Sequence, residues 1–222
     1  MRGYIAATAA LALAMPAAAQ DVQSWNTLQV QGPIDGNLLI LGEVSTRFAD
    51  DLSRTSVAFG RIGLGLRTRG GIDLHAGYQY QANFPAAGPD RHEHRLWQQA
   101  QLPLLQRPNG LALTNRWRLE QRWFNTGNDM GLRLRSQLRL ALPLHGKGSA
   151  GPLLMMESFA NLNTTDWGQR AGLDQHRSFV GWMQPVSPRF TVEAGYMHVY
   201  LNRPGRNPGN HVLSLTLSRR LG

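Results

Sequence analysis

The chain has 222 residues, with 23 Lys+Arg against 14 Asp+Glu and no cysteine. The missing cysteine excludes a disulfide scaffold and a thiolate metal centre, and beyond the N-terminal stretch no run of eighteen apolar residues exists to make a transmembrane helix. Lys147 is the single lysine and every other basic residue is arginine, a bias towards fixed, planar, multi-donor pairing with carboxylates or phosphates rather than towards a solvated basic surface.

The first residues predict an export signal. Arg2 supplies the positive start, Ile5 to Met15 an apolar stretch too short to span a bilayer, Pro16 a break, and Ala17-Ala18-Ala19 a small-residue cleavage site. Residues 1–20 are therefore expected to be a secretory signal peptide. Export argues against nucleic acid as a partner. It leaves a periplasmic protein, a secreted one, or a membrane β-barrel.

Residues 21–36 read as an N-terminal periplasmic segment or a short strand. Trp25, Thr27 and Gln29 alternate with Leu28 and Val30, and the segment ends in a turn, Pro33-Ile34-Asp35-Gly36. From residue 37 to 222 period-two alternation dominates, punctuated by Gly, Pro, Asn and Asp. It predicts strands near 37–48, 54–68, 71–83, 91–104, 110–124, 130–144, 152–163, 173–184, 188–202 and 210–221. The clearest is 130–144, the sixth of these. There Leu132, Leu134, Leu138, Leu140 and Leu142 oppose Arg133, Arg135, Gln137 and Arg139, a sorting that a strand makes and a helix destroys.

These runs exceed the roughly five or six residues of ordinary soluble strands and match the roughly 9–11 needed to cross a membrane at a tilt. Short connections (68–71, 185–188) alternate with mostly longer polar ones (83–90, 125–129, 164–172, 203–210), as outer-membrane barrels do. The expected fold is all-β: a closed antiparallel transmembrane β-barrel over 37–222. It has ten strands and both ends in the periplasm, with twelve strands as the alternative, and it sits among the lipids of a bacterial outer membrane.

In such a barrel the apolar face meets lipid and the polar face lines the lumen. The expected lumen network is Glu43, Arg47, Arg61, Asp73, Glu93, Arg95, Arg116, Arg118, Glu120, Arg122, Arg133, Arg135, Arg139, Glu157, Arg177 and Glu193. In an interior little wider than its own side chains, these groups should pair. Tyr78, Tyr80, Trp117, Trp123, Trp182, Tyr196 and Tyr200 fall on or near the apolar face, where interfacial girdles form.

Several strings carry a resemblance: Glu93 to Gln99, Arg116 to Arg122, Glu157 with Phe159, Asp174 to Arg177, and Gly195-Tyr196. In order and spacing they are similar to a bacterial family called domain of unknown function 2490, over nearly the whole exported chain. The resemblance implies an outer-membrane barrel and no established activity. His176 departs from it, standing where an asparagine is expected.

That departure suggests a chemistry. His176 and Ser178 share one strand face with Arg177 between them, and the pair resembles the His-x-Ser pair of outer-membrane lipid-ester hydrolases, in which the histidine deprotonates the serine. Phe179-Val180 after the serine departs from that pattern, and no third residue to orient His176 is identifiable. His92 and His94 share a face, but no third metal ligand accompanies them, so neither metal nor cofactor is implied. Gly60, Gly63 and Gly65 precede no helix, which excludes a phosphate loop; they mark close backbone approach. The expected role is structural or binding, without an enzyme activity. The alternatives are a narrow pore favouring small anions and a lipid-modifying hydrolase using His176 and Ser178.

Overall fold

Leu132 and Leu134 cannot share an environment with Arg133 and Arg135, and an extended backbone resolves the conflict by sending them to opposite sides. The computed structural model, which describes residues 21–203 and 209–222, repeats that solution around a closed wall. The predicted signal peptide, 1–20, lies outside the described residues. The strands are β1 (Val22–Asp35), β2 (Leu38–Ala49), β3 (Arg54–Arg67), β4 (Asp73–Asn83), β5 (Arg91–Gln106), β6 (Ala112–Phe124), β7 (Gly131–Ala141), β8 (Gly151–Asn161), β9 (Gly172–Pro185), β10 (Phe190–Leu201) and β11 (Gly209–Arg220). They are 11 to 16 residues long.

Ten strands were expected and eleven form the barrel. The extra one is β1, which contains Trp25–Gln31 and extends it at both ends. Consecutive strands pair antiparallel, and the ring closes by a parallel seam between β1 and β11, in register from Val22 opposite His211 to Gln31 opposite Arg220. An odd number of strands makes the first and last parallel, so the two described ends cannot share a rim. Asp21 is at the rim with the longer loops, where its side chain accepts the Asp51 amide at 3.1 Å. At the other rim the Leu221 amide bonds the Gln31 carbonyl at 2.9 Å. This corrects the expectation of two ends on one side. It also removes the exposed sheet edge that β1 and β11 would each otherwise present.

The barrel is inverted relative to a water-soluble one. Its outer face is apolar, with Ile62 57% and Leu66 58% exposed, while Glu93 and Arg118 inside are 0% and 1% exposed. Irregularities fall near strand ends. The register shift between Pro103 and Leu105 accommodates a proline that cannot donate to the ladder. Another, between Phe159 and Ala160, rotates the start of β9.

Close packing inside depends on absent side chains. The Trp97 indole lies against Gly63 and Gly77 of neighbouring strands, where a Cβ on either would overlap the ring. Phe179 is seated in the same way on Gly181 and Gly195. Phe179 also joins Ala141 and Leu153 in a small apolar cluster inside the wall.

Candidate functional site

The alternation of β5 to β9 delivers charged side chains to one half of the lumen, and there they interlock. Glu93 accepts from Arg95 through both oxygens at 2.6 Å and from Arg122 Nε at 2.6 Å. Glu120 accepts from Arg135 at 2.7 Å, with Arg95 at 3.7 Å. Glu157 joins Arg116 at 2.6 Å and Arg135 at 2.8 Å. Beyond that half, Glu43 of β2 meets Arg61 of β3 at 3.2 Å, and Glu193 of β10 reaches across to Arg139. Charge-assisted bonds of this kind satisfy groups that would be costly if buried alone.

The sixteen residues of the expected network thus line the interior, but they do not form one cluster. Asp73 pairs with Arg67 at the short-turn rim, at 2.6 and 2.7 Å, away from the central pairs. Asp174 reads from the alternation as outward-facing, on the side of His176. The register shift at Ala160 turns it inwards, where it bridges Arg133 and Arg203 at 2.9 Å each.

Uncharged partners were not foreseen. Gln79 accepts from Arg61 at 2.8 Å, Gln99 from Arg118 at 3.0 Å, and Asn161 from Arg133 at 2.9 Å. Guanidiniums also lie over rings: Arg118 over Trp97 at 4.9 Å, Arg135 over Phe159 at 4.5 Å, and Arg47 over Trp25 at 3.9 Å. The signal for the aromatic partners is their parity, since Trp25, Phe59, Trp97 and Phe159 all fall on the polar, arginine-bearing face of the alternation.

The other half of the lumen, walled by β1, β2, β10 and β11, carries Thr27, Gln29, Ser45, Ser214, Thr216 and Ser218. A cavity of about 530 Å³ runs between the two halves, lined by these residues on one side and by Arg61, Arg116, Arg135, Glu157 and Arg177 on the other. Arg122, Arg133, Asp174 and Arg203 are shared with a second cavity at the long-loop rim. Gln31, Gln101, Arg139, Glu193 and Ser218 are shared with a third at the short-turn rim. The β8–β9 connection folds over the first of these rims. Its Trp167 packs on Phe124 at 4.6 Å between centroids, and Gln169 reaches down to accept from Arg122 at 3.0 Å. Asp166 anchors that loop by accepting the Asn128 amide at 2.8 Å and the Asp129 amide at 3.2 Å, which holds its carboxyl below the usual range.

On the outer face, His176 Nδ1 and Ser158 Oγ of the neighbouring strand share a hydrogen bond of 2.9 Å. Ser178 lies between Met156 and His198 in register, and among the described residues no hydrogen bond links it to His176. Asp174, facing inwards, does not orient that histidine. His92 and His94 bond Tyr80 and Tyr78 at 2.8 and 2.6 Å. Among the described residues no three His, Asp or Glu side chains gather in a way that would hold a metal.

A closed barrel with apolar side chains outside and an arginine–carboxylate network inside is the class that fold and site define. By sequence the chain belongs to a family of proteins of unknown function, DUF2490, whose model matches residues 22–210. It is also 34% identical over 217 residues to an uncharacterised protein of Methylorubrum extorquens, covering 95% of this chain and 92% of that one. No solved structure matches.

Proposed function

We propose that this protein is an outer-membrane β-barrel whose lumen is a narrow polar passage favouring small anions. The apolar outer face supports the membrane setting, because water would leave that belt uncovered while hydrocarbon covers it at no polar cost. The strand lengths, each sufficient to cross a membrane at a tilt, and the expected signal peptide at 1–20 support the same setting.

The observation that carries the passage is the central cavity, which shares wall residues with cavities at both rims. The paired charges on one side of the lumen serve as scaffold, and the cavity runs between them and the small polar side chains opposite. Lumenal arginines outnumber lumenal carboxylates, so the fixed charge left after pairing is positive, and a low-dielectric wall focuses that potential along the cavity. Rings of Arg or Lys are the usual lining of anion-selective pores.

The test is reconstitution in a planar bilayer under a KCl gradient. Discrete conductance steps with a reversal potential on the chloride side are expected. Silence, or a reversal potential on the potassium side, overturns the reading.

A further inference from the structure

Arg47 differs from the other cations around it. Among the described residues its guanidinium has no hydrogen-bond or ion-pair partner, and its Nε is shielded from solvent. What it touches is an indole. Trp25 lies directly opposite in the β1–β2 register, and its ring is fixed against Val199 and Val212. The Arg47 guanidinium carbon lies 3.9 Å from the ring centroid.

Arg177 comes to the same ring from β9, at 4.7 Å, and also covers Phe159 at 4.3 Å. Its guanidinium makes two long bonds to Gln175 Oε1, at 3.4 Å each, and its nearest carboxylate oxygen, Glu157 Oε2, is 3.7 Å away, while Arg116 and Arg135 hold the other oxygen of that carboxylate. Two like charges thus meet on one rigid aromatic platform at the cavity wall. Stacking on a ring lowers the energy of a cation but leaves its charge in place, and an enclosed charge without a counterion is costly. Among the described residues neither guanidinium has a carboxylate within hydrogen-bond reach, so the pair still presents charge and donors to an anion.

We propose that Arg47 and Arg177 bind an oxyanion, the carboxylate or phosphate group of a small molecule held in the lumen. Planar guanidinium forks match the paired oxygens of either group. Ligand pockets commonly measure roughly 300–1,000 Å³, so the cavity admits a small organic acid or phosphate as well as a halide. This inference rests on the reading of the lumen as open to anions.

The test uses the full chain purified in detergent, titrated calorimetrically with inorganic phosphate and separately with succinate. Saturable binding of at least one is expected. Arg47→Gln and Arg177→Gln should each weaken it tenfold or more, while Arg107→Gln, in an exposed turn, changes it less than twofold. Arg47→Gln should also raise the thermal midpoint in anion-free buffer and abolish the rise that the bound anion produces in the wild type.

Circular dichroism checks that each variant folds. Equal affinity in the Arg47→Gln and Arg107→Gln proteins overturns the site, as does a wild type that binds neither probe. A wild type that conducts chloride but binds neither probe removes the site and leaves the passage. Binding without conductance removes the passage and leaves the site.

Discussion

At the residue scale the lumen separates two kinds of ion pair. Glu93 is fully enclosed and holds Arg95 and Arg122 together with bonds of 2.6 Å. Asp73 holds Arg67 with bonds as short, yet that arginine's side chain is 46% exposed at the rim. Bond length alone ranks them equal; environment does not. Removing one partner of a buried pair leaves the other charge stranded and costs about 3–5 kcal/mol, whereas exposed pairs are worth about 0–1 kcal/mol. Glu93→Gln is therefore expected to lower the unfolding free energy by several kcal/mol, and Asp73→Asn by less than about 1 kcal/mol. Urea titration of both variants in lipid vesicles measures the difference. Equal losses would show that water reaches Glu93 as freely as it reaches the rim.

At the element scale the decisive piece is β1. The alternation of Trp25, Thr27 and Gln29 with Leu28 and Val30 was legible, as were the ten later strands to within a few residues. What the pattern does not contain is a partner. A strand's sequence reports which face is apolar, not which edge it joins, and the usual even strand count of bacterial barrels argued for leaving this one out. The inward turn of Asp174 was hidden for a related reason. Alternation extrapolates from neighbour to neighbour, and one unannounced register shift reverses the face of everything on the far side.

The seam itself is testable because the chain has no cysteine of its own. Leu28 and Leu217 are paired across β1 and β11, and Leu28 and Val44 across β1 and β2. Neighbouring strands lie about 4.8 Å apart, within the Cα separation that a disulfide spans. The Leu28→Cys/Leu217→Cys protein is expected to cross-link on mild oxidation, as is the Leu28→Cys/Val44→Cys protein. Gel mobility with and without reductant reads the result. If only the second pair closes, β1 is a hairpin arm lying outside a ten-stranded barrel.

At the scale of the whole molecule, the fold inverts the usual meaning of exposure. Ile62 stands near the middle of β3, 57% exposed, opposite Gly42 on one side and Tyr78 on the other. If water surrounded the barrel, Ile62→Arg would change a surface residue, and such changes usually stay within about 0.5 kcal/mol. If hydrocarbon surrounds it, a guanidinium at that height costs about 2–4 kcal/mol, because no lipid tail replaces the water it gives up. The same substitution type at a rim position, Leu66→Arg, starts from equal exposure but lies near the end of its strand, where an interfacial charge costs about 0–1 kcal/mol. The depth dependence, rather than either value alone, separates the two settings. Urea titration of the two variants in vesicles should show a large loss for Ile62→Arg and a small one for Leu66→Arg. Two small losses would mean that the apolar belt is covered by something other than a bilayer.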